Sequence, residues 1–179
     1  MSRRARTRMH HPRRAGVAAV NAVEIAINRA RKLAAQDVAR QDAIVRQAVA
    51  EFCRGEHCLQ HWRSLADTAN MSETMAGMGL GAGPDAERVI TAAQQTLHDV
   101  HKRHATRGTW TLYADEIDSL QWLAQLHLVQ LAACSYGEFS DAFHTTANRL
   151  EQARAGNAAH GAIVVVGDMP ATAEAQAAA

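Results

Sequence analysis

Aromatic residues make up only 4% of this 179-residue chain. Alternating runs rich in Val, Ile and Thr are almost absent as well. Strands draw on both, so a β-sandwich or barrel is excluded as the fold. Cysteine is equally sparse. Cys53, Cys58 and Cys134 cannot form a fully paired disulfide framework. No long apolar stretch follows the charged N-terminus, which sets aside a secretory leader and leaves the reduced cytoplasm as the expected compartment. An arginine-rich, acid-poor start also fits the composition of an organellar transit peptide, the alternative to that reading.

Acidic residues are missing from the first 16 positions, which hold Arg3, Arg4, Arg6, Arg8, Arg13 and Arg14. The net charge of +1 therefore hides a division. The other 13 Lys/Arg face all 18 Asp/Glu, so the body is acidic by five charges and carries a cationic arm.

What the chain does have is helical periodicity. The clearest case is 114–134, opened by Asp115, Glu116 and Asp118, where a helix N-terminus favours negative charge. Ile117, Leu120, Ala124, His127, Leu131 and Cys134 recur at helical spacing, and Trp122, Leu123, Leu126, Leu128 and Val129 widen the stripe almost all round. Such a helix is central and packed on several neighbours. Its acids, three glutamines and histidine exclude a membrane span.

The expected architecture is an all-α bundle of five to six helices in one domain, 16–154. A disordered arginine-rich arm (1–15) precedes it and a flexible Ala/Gly-rich tail (155–179) follows, with one apolar run at 163–166. Helices are expected over about 17–33, 37–54, 56–69, 71–78 and 85–106, then 114–134, and last from Ser135, whose capping box is closed by Glu138. No strong breaker separates the first two, so one long bent helix is also permitted. Gly55 and Gly108 are stops, and 79–84 is the clearest loop. The break at Asn70 follows from the apolar stripe, which jumps to another face at Met71, Met75 and Met78. These methionines fit core filling, or an adaptable partner surface.

Arginines on a flexible segment suit phosphate, because they stay charged and offer forked donors. The alternatives are a solvated tail or one that meets an acidic protein surface. A second candidate is a degenerate helix-turn-helix at 59–78, in which Ser72, Glu73 and Thr74 would open the recognition helix. Asn70 stands where glycine is commonest, and no Arg, Lys, Gln or Asn lies between Met71 and Gly79 to read base edges.

Two histidine sets suggest metal as a further alternative: His98, His101 and His104, and Cys53, His57 and His61 with Cys58. Neither pairs with a recognised zinc spacing, and Lys102, Arg103 and Arg107 crowd the first with positive charge. No metal, cofactor or catalytic residue is therefore assigned. His127 is the histidine expected in the core, bonded to a backbone or side-chain partner, with Cys134 near the same helix end. Trp62, Trp110, Tyr113 and Trp122 read as core or connector packing. The glycines of 79–84 follow no strand and lack a following Lys-Ser/Thr, so they form a linker.

The runs HCLQHWRSLADTANMSETMAGMGLG and RHATRGTWTLYADEIDSLQWLAQLH resemble small all-helical proteins encoded in prophages and mobile elements of Gram-negative bacteria, over about residues 50–150. That family has no assigned activity. The resemblance implies a bacterial or phage cytoplasm and an accessory or regulatory role, and it supplies no catalytic residues. The function expected is non-enzymatic macromolecular binding, with the arm on nucleic-acid phosphates. Sequence-specific DNA binding and inhibition or adaptation of a host protein are the alternatives. The alanine-rich first helices also permit a homodimer.

Overall fold

The computed structural model describes residues 13–55, 58–81 and 83–155, with side chains from position 22 onward. The chain forms α1 (Arg13–Ala30), α2 (Ala35–Arg54), α3 (Leu59–Gly77), α4 (Pro84–Arg107), α5 (Ala114–Ala133) and α6 (Tyr136–Arg154). Among the described residues the one extended pairing is an isolated bridge between Lys32 and Ser135. The fold is the expected all-α bundle. Positions 1–12 of the arm and 156–179 of the tail, with the apolar run 163–166, lie outside the described residues. Arg13 and Arg14 do not belong to an irregular arm: their backbone opens α1.

Local signals set most of the ends. α2 stops at Gly55, whose φ of 75° is the left-handed conformation that glycine adopts without strain. α4 has proline in its first turn, where no N–H is needed, with Asp85 and Glu87 at the positive end of its dipole. α6 has its capping box: Ser135 Oγ accepts from the Glu138 N–H at 3.2 Å, and the Glu138 carboxylate accepts the Ser135 N–H at 2.7 Å. That bonding holds the Glu138 carboxyl below its usual range.

α1 and α2 are two helices, not one bent helix. The link between them is pinned to the α5–α6 corner, where the Tyr136 N–H donates to the Arg31 carbonyl at 2.7 Å. The Lys32 ammonium donates to the Ala133 carbonyl, a cation at the C-terminal end of α5.

The largest departure from the sequence pattern is α3, which runs without a break from Leu59 to Gly77. The apolar stripe moves because the neighbours change along a continuous helix. Trp62, Leu65, Ala66 and Ala69 share a core with Val49, Phe52, Leu97, Leu120 and Leu123. Met71 and Met75 belong to a second cluster with Leu131, Cys134 and Ala142, so two of the three methionines are core.

α3 is also the hub, packing on α2, α4, α5 and α6. Its buried side chains include Ala66, Thr68, Ala69, Ser72 and Thr74, small residues that let four helices approach. α5 buries Leu120, Leu123, Ala124, His127 and Leu131, but Trp122 is 64% exposed on its outer side. Trp122 and Tyr113 are thus surface residues, while Trp62 and Trp110 are core. The Trp62 indole N–H ties α3 to α4 through the Leu97 carbonyl at 2.9 Å.

α4 and α5 are clamped where residues 108–113 join them. Arg103 makes a forked pair with Glu116, at 2.6 and 3.2 Å, and both side chains are nearly buried. The same carboxylate accepts the Tyr113 N–H at 2.7 Å, and the guanidinium lies 4.4 Å from the Tyr113 ring centroid. Glu116 beside it holds the Arg103 guanidinium above its ordinary value.

α1 stands apart, packed on α6. Its seat depends on Gly137, where an added Cβ would lie 2.9 Å from the Arg29 carbonyl oxygen. Arg29 also pairs with Asp141 at 2.5 Å, which raises the guanidinium pKa.

Candidate functional site

The helix-turn-helix reading does not survive. With α3 continuous there is no turn, and Ser72, Glu73 and Thr74 lie in the interior of the hub helix. Ser72 is fully buried and Thr74 nearly so, out of reach of a base edge.

These side chains bond helices together instead. Glu73 Oε2 accepts from Arg149 of α6 at 3.0 Å and from Gln94 of α4 at 3.3 Å. Thr74 Oγ1 accepts from Arg149 at 3.1 Å and from the Thr146 hydroxyl at 2.8 Å, while donating to the Asn70 carbonyl. Polar residues were required there because several helices meet, and Ser72, Glu73 and Thr74 each take a partner from another helix.

His98, His101 and His104 do not converge on a cation site. His104 stacks on Trp110 with ring centroids 4.0 Å apart, and His101 lies 4.9 Å from Trp62. Burial, with the neighbouring His104 and His98, lowers the His101 pKa. Among the described residues no three His, Cys, Asp or Glu side chains are placed to hold a metal; His57 lies outside them.

Cys134 is buried and its thiol donates to the Leu131 carbonyl at 3.4 Å. Burial pushes that thiol up, away from the reactive thiolate. Among the described residues nothing bonds it to His127.

The site that the structure does assemble centres on His127. The ring is 6% exposed, and its Nδ1 lies 3.0 Å from Ser72 Oγ. One helical turn further, Gln130 Nε2 donates to the carbonyls of Ser72 and Leu80, at 3.0 and 3.2 Å. The loop glycine Gly81 (φ 63°) sits so close to Gln130 that an added Cβ would meet its Cγ at 2.9 Å. α5, the middle of α3 and the loop at Leu80 and Gly81 are thereby locked together. A serine and a histidine at this distance have the makings of a nucleophile and base. Here the hydroxyl is sealed from any substrate, so the pair fixes the ring.

Beside the ring lies a cavity of about 420 Å³ between α2, α3 and α6, bordered by His127 of α5. Asp67 and Thr68 of α3 supply polar edges, and Val45, Met71, Phe139 and Leu150 apolar walls. Burial raises the Asp67 carboxyl above its ordinary value, while Arg154 and Arg63 pull the other way.

Of this site, the sequence pointed to His127 as a core histidine and to Ser72 in a different role, with nothing to pair the two. They stand 55 positions apart and the walls come from three helices other than α5, so no local spacing carries the signal. The arginine candidates Arg3, Arg4, Arg6 and Arg8 lie outside the described residues. Arg13 and Arg14 start α1, far along the chain from the His127 cavity.

No described helix is long and apolar enough to cross a membrane. No protein-family model matches the chain, and no curated protein or solved structure is detectably similar to it.

Proposed function

We propose that this is a non-enzymatic accessory or regulatory protein of a phage or mobile element, acting in the cytoplasm by binding nucleic-acid phosphates through its arginine-rich segment. The observation that carries the reading is the form of α1. Every residue from 22 to 30 of that helix is exposed, and the helix packs on α6. The six arginines therefore sit on or before an outlying helix, whose N-terminal dipole adds to their positive charge. An acidic body joined to a basic N-terminal segment favours a polyanion at that segment and repels it from the bundle.

The test is fluorescence anisotropy on short duplexes of two unrelated sequences. The full chain is compared with a variant carrying Gln at Arg3, Arg4, Arg6, Arg8, Arg13 and Arg14. Binding is expected to be independent of sequence, with a log–log salt slope of about −5 if all six arginines engage. It is expected to vanish in the variant. Absence of binding at low salt, or equal binding by the variant, defeats the reading.

A second reading, α1 as the docking element for a host protein or another copy of the chain, draws on Val23, Ile25 and Ile27, each 53–59% exposed. It predicts that serine at these three positions abolishes complex or dimer formation and leaves DNA binding intact. Size-exclusion chromatography with light scattering reads the dimer; a monomer at every concentration removes it.

A further inference from the structure

His127 is held by one ring nitrogen and open at the other. Ser72 Oγ meets Nδ1 at 3.0 Å, and among the described residues nothing bonds Nε2. Ser72 is fully buried, and His127 is the partner its hydroxyl has among the described residues. If the serine accepted from the ring, its own proton would be sealed in the core without an acceptor, an arrangement proteins avoid. Ser72 therefore donates, Nδ1 accepts, and the neutral imidazole carries its proton on Nε2. The ring borders the cavity and Ser72 does not, which leaves the unbonded Nε2–H as the ring's donor for a molecule held there.

We propose that this cavity is a binding site for a small uncharged molecule, apolar in body, with one carbonyl-type acceptor that takes the His127 Nε2–H. Four observations define that chemistry. The volume of about 420 Å³ falls in the range of small-molecule sites. The walls are mainly apolar, with Met71 supplying a side chain that adapts to irregular shapes. Ile44 and Phe143, 46% and 57% exposed, flank the cavity from α2 and α6 and offer a bound molecule apolar surface at its edge.

Charge settles the last point. Burial holds the imidazole neutral, with its pKa down at about 4, so the ring offers a directed N–H and no cation. A carboxylate placed against it would exchange full hydration for a bond to a neutral donor, the less favourable trade. A ketone, ester or amide loses little hydration and gains the bond.

The experiment uses full-length protein and two probes of similar size, 2-octanone and octane. Methyl ¹³C spectra follow Val45, Met71 and Leu150. Both probes are expected to shift these methyls. The ketone-to-alkane affinity ratio is expected to fall about 2- to 10-fold in His127→Leu, the worth of one hydrogen bond. His127→Gln keeps an N–H donor and is expected to retain most of the ratio. A second measurement needs no variant: ¹⁵N spectra of the histidine rings at pH 7 are expected to show His127 protonated at Nε2 and bare at Nδ1. Methyls that respond to neither probe, a ratio unchanged in His127→Leu, or the opposite tautomer each overturn the proposal.

Discussion

Acidification is expected to weaken this bundle through His127 as soon as the pH falls below about 6.5. The ring is 94% buried, and burial brings its pKa from an ordinary 6.5 to about 4, with the Asp42 charge pulling slightly the other way. The unfolded chain then binds a proton that the folded one refuses across that interval. The stabilising contribution is complete above 6.5 and is lost as pH falls toward 4. Linkage gives a loss of about 1 kcal/mol between pH 7.5 and 5.5, and about 2–3 kcal/mol by pH 4.5.

Urea titrations at half-unit pH steps measure the profile in wild type and in His127→Gln, which has no proton to gain. His101 is lowered in the same direction, so its share cancels in the difference between the two proteins. The expected result is a difference curve that is flat above pH 7 and falls through the window between 6.5 and 4. Parallel profiles would refute the burial argument. A His127 imidazole titrating near 6.5 in NMR would do so more directly.

The Arg103–Glu116 clamp is the other buried charge arrangement, and Arg103→Ala leaves Glu116 without its forked partner. Urea denaturation is expected to show a loss of about 3–5 kcal/mol, much of it recovered when Glu116→Gln is added. Gly137→Ala places a methyl against the Arg29 carbonyl and is expected to unseat α1. Hydrogen exchange is then expected to accelerate over residues 22–30 and stay unchanged in α2 to α6, since an outlying helix opens independently of the core.

Where a structural property depends on neighbours in sequence, the sequence states it well. The glycine stops at 55 and 108, the Ser135–Glu138 capping box and the helical period of 114–134 are all decided within a turn or two of chain, and the structure has each. The loop at 79–84 is similarly local; only Pro84 passes into α4. The links that failed are those where distant helices decide what a residue is for. Trp122 belongs to an apolar stripe by spacing, yet α2, α3 and α4 cover only part of α5 and leave it outside.

α3 shows the same effect from the opposite side. Periodicity assumes that the core lies in one direction from a helix. This helix has neighbours in four directions, changing along its length, so a continuous element imitates two elements with a bend. Its polar residues then imitate a surface. Ser72, Glu73 and Thr74 are polar because their partners His127, Arg149, Gln94 and Thr146 come from α4, α5 and α6, at separations of 21 to 76 positions. The misreading as a recognition helix and the missed cavity thus have one cause. A hub helix that bonds several neighbours must carry small and polar side chains, and only the assembled bundle distinguishes them from a solvated face. The same assembly isolates His127 between a buried serine and an open cavity, which is why its chemistry is legible in the fold and not in the spacing.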